Sequence, residues 1–369
     1  MNHVTVSSIT TVPVRMQTAP ELAVHGAAGE HSYSGFLLVR VTLSNGIVGY
    51  GEVSATPSWS GEDESTAEHY IKSLLAPKLI GTAIDDITTT DAIMDSQLGG
   101  NMFTKAGLSI ALWDAYARAR DVTLAEALGG IRRREIRIKC SLSGTPDQMR
   151  RGHSYATSLG FTAFKVKVGR DVEGDIARVA LARELAGDGT FIGTDANTGW
   201  SREDAARAIE GFAPFGVAFV EQPVAAKDLA GMASLRGRGY PIIADESVGD
   251  IWDLRAVIEA GAADVASIYV GMSGGPARAV GMGEAAAAAG LGVVIGSNGE
   301  MGIGAAAQLH VACALPELSS EIPSDIIGSH FYSEETLATP LNSDGSWVVL
   351  GDGAGLGVEP RPDLVARFA

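Results

Sequence analysis

The chain has 369 residues, 46% hydrophobic and 20% charged, with 46 Gly and 14 Pro; this is a folded, turn-rich globular composition, and the length suggests about two domains. A net charge of −16 with no Lys/Arg cluster able to neutralise phosphates speaks against a nucleic-acid partner. Cys140 and Cys313 form no CxxC or zinc spacing. The start, MNHVTVSSITTVPVRM, has no basic stretch followed by an apolar run, so secretion is not expected, and the apolar run Gly283–Gly296 is too short and glycine-broken to span a membrane. A soluble, reduced, cytoplasmic protein with no membrane partner is expected.

Residues 4–15, 35–44 and 47–53 are Val/Ile/Leu/Thr-rich, and Ser44-Asn45-Gly46 joins the last two as a hairpin. Helical stretches follow at Ser65–Leu75 and Ala106–Ala119, so the first part is an α+β arrangement. From about residue 135 short apolar runs alternate with helices: Ile136–Leu142, Ala163–Val168, Phe191–Thr194, Val217–Val220, Pro241–Ala244, Val265–Val270 and Gly292–Ile295. Among the intervening helices are Val172–Leu185, Ala205–Phe212 and Ile251–Ile258, and Ser201 with Asp204 resembles a capping box. Strands apolar on both faces indicate a parallel sheet. Seven or eight such units suit a closed barrel better than an open Rossmann-like sheet, because no GxGxxG follows the first strand.

Ionisable residues stand at the ends of successive barrel strands: Lys165 and Lys167, Asp195, Glu221 and Asp245. The intervals are 28 (195 − 167), 26 (221 − 195) and 24 (245 − 221), one βα unit each. In a closed barrel they share the rim where such folds place their active sites. Three converging carboxylates need protons or a cation, and oxygen ligands with open positions suit Mg²⁺, with Mn²⁺ as the alternative. Period-two alternation points Lys165 and Lys167 the same way, into the barrel mouth. A lysine beside a second cation and a metal has its charged form disfavoured and can serve as a base. Singly, an Asp before a turn is a cap and a KxK pair a solvated edge; their recurrence at strand ends carries the argument.

With these residues in place, the chain resembles the enolase superfamily in its muconate-lactonizing (muconate cycloisomerase) subgroup. The resemblance spans nearly the whole chain: Gly49-Tyr50-Gly51-Glu52, Ala111-Leu112-Trp113-Asp114-Ala115 and Leu128-Gly129-Gly130 in the first part, then Lys165-x-Lys167, Asp195-x-Asn197, Glu221-Gln222-Pro223, Asp245-Glu246-Ser247 and Ser273-Gly274-Gly275. It implies a modified TIM barrel of the (β/α)7β kind over residues 131–327, an α+β capping domain over 1–130, and a segment 328–369 returning to that domain. Asp195, Glu221 and Asp245 would hold Mg²⁺. Lys167 would move the proton α to a carboxylate through an enediolate, and Lys165 would contact that carboxylate. The eighth strand, Ser320-Glu321-Ile322, would present Glu321 as a hydrogen-bond or proton donor. Asn197 and the seventh-strand end, with Ser297, Asn298 and Glu300, would line the substrate; Glu300 reads equally as an acid at the N-terminus of helix 301–315. Of the capping-domain loops, Glu21–Ser34 with His25 and Thr56–Ser60 with Trp59 are either substrate-closing or ordinary surface loops. A small-molecule carboxylate substrate and a homo-oligomer complete what the resemblance implies.

One departure stands out. Many members carry a second lysine after the sixth strand, whereas this chain has Tyr269, 24 residues beyond Asp245 (269 − 245). A phenol of pKa near 10 is a poor base at neutral pH. No His lies in 291–300, and His310 falls within the next helix as structure. One-faced chemistry is therefore expected: muconate-type cycloisomerisation with lactone formation or opening, and otherwise a one-base dehydratase or an amino-acid-derivative isomerase or epimerase. A Schiff-base lyase and a non-catalytic barrel fit the clustered acids less well.

Overall fold

In the computed structural model residues 3–26, 29–31 and 33–369 are described, without the side chains of 24–26, 29–31, 33 and 329. The aliphatic N-terminal runs form antiparallel strands Val6–Gln17, Tyr33–Leu43 and Val48–Val53, with Tyr33–Leu43 in the middle. Gly46 turns the hairpin with φ of 85°, and its N–H donates to Leu43 O at 2.9 Å. Helix Met102–Arg118 lies across the sheet. The approach is close enough that a Cβ on Gly51 would stand 2.0 Å from Gly107 O, and one on Gly49 2.3 Å from Ala111 O. Glycine at 49 and 51 is thus a packing requirement, which explains the Gly49-Tyr50-Gly51 pattern.

Seven parallel strands follow in chain order: Cys140–Leu142, Ala163–Lys167, Phe191–Asp195, Val220–Glu221, Ile242–Ala244, Val265–Ile268 and Gly292–Ile295. A helix follows each, from Pro146–Ser158 to Gly302–Ala314. Thr145, Asp171, Ser201, Asp228 and Asp250 begin five of them by accepting N–H groups that the helix leaves unpaired. Residues 319–325 close the ring as the eighth member. Asp325 N–H donates to Ile295 O at 2.9 Å on one side, and Lys139 N–H donates to Ser324 O at 3.1 Å on the other. Inside the barrel Phe219, Ile243, Val265, Val294 and Ile322 form an apolar cluster of their own. Among the described residues no helix is long and apolar enough to cross a membrane.

The run expected as one strand over Ile136–Leu142 is two. Glu135–Arg137 pairs antiparallel with Trp347–Val349, and only Cys140–Leu142 enters the barrel. Farther along, Leu124 N–H donates to Gly355 O at 2.7 Å, and the Arg40 guanidinium donates to Phe368 O at 3.0 Å, bringing the tail back to the N-terminal sheet. His310 supports this return. Its Nδ1 accepts the Ala125 N–H and its Nε2 donates to Leu356 O, both at 3.1 Å. Burial lowers its pKa to about 4, so it is a neutral structural histidine.

Candidate active site

Strand register builds the site. Lys167 is paired with Asp195, and Asp195 with Glu221, so three strand ends bring their functional groups to one height. Asp245 follows Ile242–Ala244 by one residue and joins them: carboxylate oxygens of Asp195, Glu221 and Asp245 all lie within 4.8 Å of one another, and all three residues are buried. Lys167 Nζ donates to Asp195 Oδ2 at 2.6 Å and to Asn197 Oδ1 at 2.9 Å. Lys165, equally directed inward, donates to Glu221 Oε1 at 2.6 Å and to Asp325 Oδ2 at 3.1 Å. Asn197 also donates to Glu246 Oε1 at 3.0 Å.

Burial dominates the electrostatics, and the lysines divide the acids. Burial would lift Asp195, but Lys167 and Lys165 outweigh it and hold that carboxyl below its ordinary range. Glu221 is pushed well up by burial, only partly offset by Lys165. Burial, then Glu246 and Asp195, raises Asp245 to about 8, and burial with Asp195 raises Glu246 to about 7. For Lys165 burial works downward, yet Asp325, Glu221 and Asp195 overcome it and lift the amine well above its usual value. The acids around Lys165 thus hold it in its charged form.

A divalent cation fits this donor set. Glu221 Oε2 and Asp245 Oδ1 are buried with no hydrogen-bond partner among the described residues, a costly arrangement unless another group satisfies them. Five acids, Asp195, Glu221, Asp245, Glu246 and Asp325, face only three lysines, Lys139, Lys165 and Lys167, in a nearly dry space, and burial with mutual repulsion disfavours the charged forms of Glu221, Asp245 and Glu246 until a cation offsets them. Three all-oxygen ligands suit Mg²⁺ or Mn²⁺.

The sixth strand ends at Tyr269, across the ring from the second. Its hydroxyl donates to Asp245 Oδ2 at 3.0 Å, and burial, then Asp245, raises the phenol further above 10. Trp59 of the capping domain meets the Tyr269 ring edge-on at 5.3 Å and 84°. Its loop is anchored at both ends by buried acids. Glu52 accepts the N–H groups of Met301 at 2.7 Å and Gly304 at 3.0 Å, and Glu62 accepts the Thr104 N–H at 2.8 Å. The acid at the start of helix Gly302–Ala314 is therefore Glu52. Glu300 instead accepts from Ser297 Oγ and from Gln308 Nε2, and burial raises its pKa. Asn298 Nδ2 donates to Ser54 O at 2.8 Å, tying the seventh-strand loop to the capping domain.

Glu321 is corrected by the structure. It is exposed, and among the described residues its carboxylate meets only the Ser320 hydroxyl, at 3.4 Å. The eighth segment pairs at Ser324 and Asp325, four residues later than expected, so Asp325 enters the site in place of Glu321. The His25 backbone lies in the short strand Val24–Gly26, but its side chain is outside the described residues. Sequence reasoning also missed Lys139, a buried lysine just before the first barrel strand, and Gln222. Gln222 takes a φ of 34°, and its Oε1 accepts the N–H groups of Asp245 and Ser247 at 2.9 and 3.2 Å, fixing the third acid's loop.

Known proteins match this architecture over nearly the whole chain. Residues 7–129 match the mandelate racemase/muconate lactonizing enzyme N-terminal domain, and 148–364 the enolase C-terminal domain-like family. Muconate cycloisomerase 1 of Rhodococcus opacus is 32% identical over 90% of both chains. N-succinyl-L-Arg/Lys racemase of Bacillus cereus is 28% identical over 92% of both. The muconate lactonizing enzyme of Pseudomonas fluorescens, solved with muconolactone, superposes with a TM-score of 0.93 at 27% identity over 100% of both chains. The chain belongs to the mandelate racemase/muconate lactonizing enzyme family of the enolase superfamily.

Proposed function

We propose that this isomerase catalyses a muconate-type cycloisomerisation, in which a carboxylate of an unsaturated di-acid adds within its own molecule to close a lactone, with Lys167 delivering the proton to the α-carbon. Asp195, Glu221 and Asp245 would hold Mg²⁺ or Mn²⁺, which when bound supplies positive charge against the substrate carboxylate and its enediolate form. Lys165 adds a second positive charge beside that carboxylate. Lys167, kept in place by Asp195 and Asn197, gives its proton to the α-carbon as the ring closes and takes it back in ring opening. Asn197, the Ser297–Glu300 loop and Trp59 line the approach, and the capping domain excludes water. The domains divide near residues 130 and 327, and the protein works in the cytoplasm as a homo-oligomer.

The observation carrying this reading is the asymmetry between the two sides of the site. Lys167 stands on one side, and on the other stands Tyr269, a buried phenol occupied with Asp245 and met edge-on by Trp59. Racemisation of the kind named for the Bacillus cereus relative calls for proton transfer on both faces, whereas lactone closure needs one. A one-base dehydration shares that requirement and is the second reading. Incubation with cis,cis-muconate and Mg²⁺, followed by proton NMR, separates them. Lactone signals are expected. No conversion of muconate, together with water loss from β-hydroxy acids, would move the assignment to the dehydratase.

A further inference from the structure

Lys139 is the unexpected charge in this barrel. It is 0% exposed, and its ammonium stands 5.6 Å from the centre of the Phe219 ring, beside the apolar barrel interior. A buried ammonium without partners is strongly unfavourable. Here it donates to Pro323 O at 2.6 Å and to Asp325 Oδ2 at 2.9 Å. The same Asp325 oxygen accepts from Lys165 at 3.1 Å, while Lys165 reaches Glu221 at 2.6 Å. One carboxylate oxygen thus bridges an ammonium that touches none of the three clustered acids and one that does.

We propose that Lys139 is a positioning residue that acts through Asp325 to hold Lys165 against Glu221, where the substrate carboxylate is received; the catalytic part of this rests on the function proposed above. Asp325 carries one negative charge and has two cationic neighbours. With Lys139 satisfying it, Lys165 is shared among Asp325 at 3.1 Å, Asp195 at 3.4 Å and Glu221, and the shortest contact, 2.6 Å, goes to Glu221. Without Lys139, Asp325 is a buried carboxylate with Lys165 as its sole cation, and the flexible lysine stem lets the ammonium move toward it. A shift of about 1 Å in a positioned group far from the breaking bond costs up to about 100-fold in rate. Lys139 immediately precedes the first strand and Asp325 lies in the eighth segment, so the pair also joins the two members where the ring closes.

The test compares Lys139→Met with the double variant Lys139→Met/Asp325→Asn, both loaded with Mg²⁺. The double variant removes the two charges together and leaves an amide oxygen to accept from Lys165. Replacing a buried ion pair by neutral groups is commonly tolerated, whereas removing one partner is not. In Lys139→Met, kcat should fall about 10- to 100-fold with KM changed less, and the crystal structure should show Lys165 drawn from Glu221 toward Asp325. The double variant should show Lys165 back on Glu221 and a kcat clearly above that of Lys139→Met, by about 5-fold or more. If Lys139→Met does not fold, Lys139→Gln, which keeps a donor for Pro323 O, carries the same expectations. Lys165 unmoved in the single variant, or a double variant as slow as the single, would overturn the proposal. The position of Lys165 is read without turnover, so a failure of the cycloisomerase assignment would show as absent wild-type activity while this structural test still stands.

Discussion

Tyr269→Phe isolates one hydroxyl in the site. The ring keeps its edge-on contact with Trp59 at 5.3 Å, and what is lost is the 3.0 Å hydrogen bond to Asp245 Oδ2. Asp245 Oδ1 already lacks a partner among the described residues, so the substitution frees the carboxylate to turn about its side-chain bond. A hydrogen bond to a charged group contributes about 1.5–3 kcal/mol, and removing an outer partner of a metal ligand typically costs about 10–100-fold in affinity, two figures that agree. Titration calorimetry should therefore show Mg²⁺ binding about 10–100-fold weaker in Tyr269→Phe. Turnover should recover to within about 5-fold of wild type once Mg²⁺ is saturating. A general acid–base role predicts the opposite split, with unchanged Mg²⁺ affinity and kcat down about 10²–10⁴-fold at any metal concentration. That result would refute the view of Tyr269 as a holder of Asp245.

Other consequences follow from burial and packing. His310, neutral in the fold with a pKa of about 4 against 6.5 when unfolded, contributes stability that is present above pH 6.5 and lost as pH falls toward 4. Between pH 7.5 and 5 the loss is about 2 kcal/mol, and His310→Gln, which preserves one donor and one acceptor without titrating, should flatten that part of a urea-melt pH series. Gly51→Ala places a Cβ 2.0 Å from Gly107 O and should lower stability by about 2–4 kcal/mol in denaturant melts, separating the sheet from its helix. Mg²⁺ at about 100 times its Kd should stabilise the protein by about 2.7 kcal/mol in thermal melts, and Glu221→Gln should lose most of that gain while remaining folded.

The convergence of Asp195, Glu221 and Asp245 and of the lysine pair was legible in the sequence because barrel geometry repeats once per βα unit, and position 195 sits at the end of its strand as 167 and 221 do. Tyr269 followed from the same spacing. The eighth segment was not legible. Ser320-Glu321-Ile322 has a strand-like look, but the pairing that closes the ring is a single bridge at Ser324, set by long-range hydrogen bonds rather than by a hydrophobic run. Glu52 was visible only as part of a family segment, since its partner helix starts about 250 residues later in the chain and only the folded contact reveals the cap. Lys139 did leave a signal: a lysine between Ile138 and Cys140, in a run that feeds the barrel, needs a counter-charge once buried, and that partner is Asp325 rather than exposed Glu321.

In the function proposed above, proton transfer is confined to the Lys167 side of the substrate. Turnover of cis,cis-muconate in D₂O with saturating Mg²⁺, followed by proton and deuterium NMR of the lactone, tests it most directly. Wild type should place one deuterium at the α-carbon in a single configuration, and Lys167→Ala should lose turnover by about 10²–10⁴-fold while keeping its fold and its Mg²⁺ response. Deuterium in both configurations, or near-normal turnover by Lys167→Ala, would contradict the account.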